Sequence, residues 1–142
     1  MRYTGFTLIE TLLTLGILTV LLSITLPIGF DFYTTSILQS ERDTLVSILT
    51  RARGLSLTHY HGAPHGIFQT PQTFIIFQGA SYATRIQTYD QLFPRTRSIT
   101  ISGPPELIFT PLSGDTGPTT LTLSIGNGNQ TITINAEGMI EY

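Results

Sequence analysis

The chain predicts an α+β protein in which one long N-terminal helix precedes a β-rich C-terminal part. Three patterns carry that prediction. No charged side chain occurs between Glu10 and Asp31. Leu38, Leu45, Ile48, Leu49, Ala52 and Leu55 then recur at spacings of three, four and seven, which puts them on one helical face. Near the end, residues 121–125 and 131–134 alternate Leu or Ile with Thr or Ser on either side of Gly126-Asn127-Gly128-Asn129. Such alternation across a Gly/Asn turn is the signature of a β-hairpin.

The first element is set by its lack of charge. About 20 apolar residues suffice to cross the hydrocarbon core of a bilayer. Residues 11–30 carry no charge, so a membrane-spanning helix is predicted over residues 6–30. Glu10 stands at its head, and a carboxylate inside such a segment costs roughly 2.5–3.5 kcal/mol. It therefore needs a cation, expected on another subunit. Pro27 lacks an N–H and clashes with the preceding turn, so a kink is predicted there, loosened further by Gly29.

The helix is expected to continue as an amphipathic one. Glu41, Arg42, Asp43, Arg51 and Arg53 fall on its other faces. Gly54 weakens the pattern, and Gly62-Ala63-Pro64 is the stronger stop, so the helix is predicted over residues 7–60.

The remainder reads as strands and turns. Residues 67–69 and 74–77 form a hairpin around Thr70-Pro71-Gln72. Residues 81–97 read as a long connection. Residues 98–102 form a strand, Gly103-Pro104-Pro105 a turn, and 107–109 another strand. Residues 113–118 are a loop by composition. After the 121–134 hairpin, Glu137-Gly138 starts a last turn and residues 139–142 add a short strand. The amphipathic half of the helix is the available cover for the apolar face of an antiparallel sheet.

Composition narrows the functional classes. The chain has no Cys, and so neither a disulfide framework nor thiol chemistry. All seven basic residues are Arg, and the net charge of −2 gives no electrostatic reason for a polyanionic ligand. His59, His61 and His65 invite a metal reading, but no acid lies near them in sequence, and solvated loop histidines are expected instead. Arg85, Arg95 and Arg97 interleave with Tyr82, Tyr89 and Phe93, a mixture that can serve phosphates and bases. Three scattered arginines read as a solvated face, and a nucleic-acid partner is not expected. Asp115 alone falls far short of a calcium site and is expected to form a turn. Asn129-Gln130-Thr131 fits a glycosylation acceptor only by pattern. With no Gly-x-Ser-x-Gly elbow, phosphate loop or legible triad, no enzymatic activity, cofactor or metal is predicted.

Gly5-Phe6-Thr7-Leu8-Ile9-Glu10 ahead of a long apolar run, with Arg2 before it, resembles the class III signal of type IV pilins and type II secretion pseudopilins. The apolar run lacks the small-residue exit of an ordinary secretory signal. The resemblance implies a leader of residues 1–5, cleavage after Gly5 by a prepilin peptidase, and Phe6 as an N-methylated new N-terminus. It implies that Glu10 pairs with the amine of a neighbouring subunit and that Pro27 is the helix-kinking proline. It implies a pilin-type fold, with residues 6–30 as a transmembrane and filament-core helix. Residues 31–142 would then be an amphipathic half-helix plus a globular β domain.

Three further segments are similar to minor pseudopilin H and FimT-like minor pilins. They are Thr50-Arg51-Ala52-Arg53, residues 107–114 and residues 132–140. The expected function is that of a minor pseudopilin in the type II secretion pseudopilus. The alternative is a FimT-like minor pilin of a type IV pilus, serving priming, adhesion, motility or DNA uptake. Expected partners are other pilins through their N-terminal helices, the peptidase/methylase and an inner-membrane assembly platform. The expected location is the cytoplasmic (inner) membrane, single-pass, with the C-terminal domain outside.

Overall fold

The computed structural model describes residues 5–142, with side chains described for 5–23 and 32–142. It divides into two compact units, Met1–Ser36 and Ile37–Tyr142. One α-helix, α1 (Leu8–Leu57), contributes to both units. It begins one residue after the predicted start and stops three residues short of the predicted end. His59 adopts a left-handed conformation (φ 49°) and the chain turns into a 3-10 segment, Tyr60–Gly62, so the break precedes Gly62-Ala63-Pro64. The expected kink at Pro27 falls among residues 24–31, outside the described side chains, and no break in α1 is assigned there.

The membrane expectation is corrected. Among the described residues no helix is long and apolar enough to cross a membrane. Thr11, Thr14, Thr19 and Ser23 dilute the apolar character of the first part of α1. The predicted transmembrane helix fails on this finding, and so does the single-pass inner-membrane placement with an external C-terminal domain.

The second unit holds eight strands in two sheets, where a single sheet was expected. They are β1 (His65–Gln69), β2 (Thr73–Gln78), β3 (Gln91–Pro94), β4 (Thr100–Ser102), β5 (Glu106–Phe109), β6 (Thr119–Ile125), β7 (Gly128–Ile134) and β8 (Ile140–Glu141). One antiparallel sheet has the order β3-β2-β1-β5 and the other β4-β6-β7-β8. The hairpin turn at Thr70-Pro71-Gln72 is as predicted, closed by the Thr70 N–H on the Thr73 carbonyl at 2.9 Å. The predicted connection over 81–97 instead contains a second 3-10 turn, Gln87–Tyr89, and β3. Pro94 is tolerated in β3 because β3 is an edge strand, where a missing N–H breaks no inner ladder.

Both sheets share one core with the helix. Leu38, Leu45, Ile48, Leu49 and Ala52 are buried together with Ile67, Phe74, Ile76 and Phe109 from one sheet and Leu121, Leu123, Ile132 and Ile134 from the other. The helical periodicity and the Thr/Ile alternation thus meet in one interior. Glu41 departs from its expected solvated face. It is buried and accepts the Thr96 N–H at 3.1 Å.

Ser56 ties α1 to two strands from a fully buried position. Its hydroxyl accepts the His65 N–H at 2.9 Å and lies 3.0 Å from the Phe109 carbonyl and 3.3 Å from that of His65. Gly66 is required where β1 lies between its neighbours. A Cβ there would sit 2.6 Å from the Phe77 ring and 2.7 Å from the Leu107 carbonyl oxygen.

Candidate functional site

Gly5, Phe6 and Thr7 precede α1, and all three are exposed. Among the described residues, a Cβ built on Gly5 meets nothing within 4 Å. Thr7-Leu8-Ile9-Glu10 has the Ser/Thr-x-x-Glu spacing of a capping box, in which the acid at the third helical position reaches back to the capping residue. Glu10 Oε2 accepts from the Thr7 N–H at 3.4 Å and from its hydroxyl at 3.5 Å. These are long bonds, so the carboxylate keeps most of its acceptor capacity. It is exposed rather than buried, and it complements the positive end of the helix dipole. The Thr7-x-x-Glu10 spacing of this cap is already present in the sequence.

The next four or so turns of helix have apolar surface on all sides. Leu8, Ile9, Leu12, Leu13, Leu15, Ile17, Leu18, Val20, Leu21 and Leu22 are each more than half exposed. The polar atoms between them are turned inward. The hydroxyls of Thr11, Thr14, Thr19 and Ser23 donate to carbonyls three or four residues back, at 2.7–2.9 Å. Each thereby presents its carbon atoms to the outside while its donor is satisfied. A helix apolar all round is ordinarily a buried one. Among the described residues nothing in its own unit covers this one, and Gly16 opens a shallow notch between Leu12, Leu13, Ile17 and Val20.

The other sequence candidates are dispersed. His59 and His61 lie on the exposed 3-10 turn, both with positive φ. His65 was expected in a solvated loop, but it opens β1 and is buried. Burial pushes its pKa below the usual imidazole value, against a backbone hydrogen bond with Ala63 that raises it and helped by the nearby His61. His61 and His65 belong to a ring cluster around Tyr60. Tyr60 stacks on His61 at 4.0 Å and Tyr89 meets His61 edge-on at 4.6 Å. No group of three metal-ligating side chains occurs among the described residues.

Arg85 is spent locally. It pairs with Asp90 at 2.8 Å and lies 3.7 Å over the Tyr82 ring, which itself stacks on Phe68. Asp115 closes a turn through its backbone carbonyl, which accepts the Thr110 N–H at 2.8 Å. Asn129 is exposed on β7.

Thr50-Arg51-Ala52-Arg53 and residues 107–114 and 132–140, singled out by sequence, converge. Arg53 Nη2 donates to the Glu137 carbonyl at 2.9 Å, and the Thr116 N–H reaches the Ala136 carbonyl at 3.1 Å. Gly114 and Gly138, both at positive φ, pack so closely that a Cβ on Gly138 would overlap the Gly114 carbonyl. Here the geometry is structural, fixing the helix end between two turns.

No known protein family, curated protein or solved structure matches the chain.

Proposed function

We propose that this protein is a filament subunit of the pseudopilin kind, a minor pseudopilin of a type II secretion system. In this reading a prepilin peptidase cuts after Gly5, and the chain assembles through residues 8–22 of α1. One observation carries the proposal: an uninterrupted apolar helical surface with its hydroxyls bonded inward and no cover of its own. Burying a Leu or Ile side chain that water would otherwise contact contributes about 1.5–3 kcal/mol. Ten such side chains left exposed argue for an assembled resting state.

The exposed Gly5–Phe6 peptide supports processing there, because a peptidase needs an extended, uncovered bond. Cleavage frees an amine at Phe6, largely charged at neutral pH with a reference pKa of about 7.7–8.0. The loosely held Glu10 carboxylate has room to accept such an amine from a neighbouring subunit. In low dielectric that pairing contributes more to register than to stability.

Mass spectrometry of the native polypeptide tests the first step. A chain beginning at N-methylated Phe6 is expected. A chain intact ahead of Phe6 in an otherwise assembled sample would overturn the proposal.

A further inference from the structure

A second feature, in the Ile37–Tyr142 unit and independent of the filament reading, is a cleft where the β1–β2 turn faces the segment between β3 and β4. Gln69, Thr70, Pro71, Arg95, Arg97 and Thr100 line it, with Ile99, Ile101 and Pro105. Two guanidinium groups two residues apart thus reach one opening.

Their roles differ. Arg95 is half-buried, with Nη1 on the Thr70 carbonyl at 2.8 Å and Nη2 on the Ile99 carbonyl at 2.9 Å. Its Nε is buried without a partner. Burial lowers its pKa while Glu41 raises it. Glu41 is the acid on the inner side of Arg95, and it is already engaged by the Thr96 N–H. Arg97 is exposed. The two ion pairs among the described residues are Arg42–Asp43 and Arg85–Asp90, so the cleft holds more cation than anion.

The walls say what kind of anion fits. No aromatic ring lines the cleft, so nothing there stacks on a base. Pro71, Ile99, Ile101 and Pro105 supply apolar contact instead. Thr100 and Ile101 belong to β4, an edge strand whose only ladder partner among the described residues is β6. Such an edge can pair with an added extended chain, whose alternate side chains fill adjoining pockets.

We propose that this cleft binds an acidic, extended peptide segment of a partner protein. Arg97 holds its carboxylate and the β4 edge guides its backbone.

The test is isothermal titration of the full chain, kept dispersed in a nonionic detergent. The probes are a capped heptapeptide alternating Glu with Val and its Gln-for-Glu counterpart. The Glu peptide should bind at least tenfold more tightly. Arg97→Gln should remove about that factor, the scale of one charge-assisted hydrogen bond. Arg97→Lys should keep part of it, and Arg51→Gln, at an exposed helical position, should change nothing. Equal melting temperatures for the wild type and Arg97→Gln would show that any loss is not unfolding. Equal binding of both peptides, or indifference to Arg97→Gln, would overturn the proposal. So would Arg97-dependent binding of a short DNA duplex without binding of the acidic peptide.

Discussion

Replacing Ser56 with Ala removes one oxygen from the interior and should cost more than its size suggests. The hydroxyl is fully buried and is the partner of the His65 N–H at 2.9 Å. Ser56→Ala leaves that donor unpaired, and with it a carbonyl lone pair on Phe109. A buried polar group left unsatisfied costs about 1–3 kcal/mol. Alanine returns part of this, roughly 0.5 kcal/mol, through its better helix propensity. The net loss is therefore about 1–2 kcal/mol, which at roughly 4–8 °C per kcal/mol lowers the melting temperature by about 5–15 °C in a unit of this size. Circular dichroism melts of wild type, Ser56→Ala and Ser47→Ala, an exposed control on the same helix, measure it. A shift for Ser56→Ala no larger than the control's would show that the helix is not tied to β1 and β5 through this group.

Other consequences follow from the same geometry. The lowered pKa of His65 means the unfolded chain takes up its proton first, near the ordinary value of 6.5. Stability should be flat in pH above that value and fall as pH drops below it, until the folded imidazole also protonates; denaturant midpoints from pH 7.5 to 5 check this, and His65→Gln should flatten the slope. Gly66→Ala places a methyl against Phe77 and the Leu107 backbone, so a loss of about 1–3 kcal/mol is expected in urea titrations, with overpacking as its cause. For Glu10 the informative pair is Ala and Gln. Gln can complete the capping box but cannot neutralise an amine, so both variants should lose filament incorporation while Gln alone keeps wild-type helicity; normal incorporation of Glu10→Gln would reduce Glu10 to a cap.

Much of the fold was legible because its signals were periodic. Leu38, Leu45, Ile48, Leu49, Ala52 and Leu55 were assigned to one helical face from spacing alone; the first five are in the core and Leu55 packs against it half-buried. The 121–134 hairpin and the turn at Pro71 needed only local chemistry. What escaped the reading depended on tertiary partners. β3 has a polar first residue and ends in Pro94, so only its pairing with β2 reveals it as a strand. Glu41 looked solvated because its partner, the Thr96 N–H, lies 55 residues away. Two sheets were read as one because strand alternation does not say which strands share a ladder.

At the head of the helix Gly5 and Phe6 are exposed, and so is Glu10, which caps the helix start where an acid inside an apolar segment was expected. The membrane span was over-read. Lack of charge is not the same as hydropathy, and among the described residues no helix is long and apolar enough to cross a membrane. The Arg95–Arg97 cleft could not be seen in sequence, since its opposite wall comes from residues 69–71.

The absence of cysteine gives the most direct test of assembly through α1. Ile17→Cys introduces a single thiol on the exposed apolar surface. In native filaments it should resist maleimide and form disulfide-linked subunits on mild oxidation. Filaments in which that thiol labels freely and never cross-links would contradict the account.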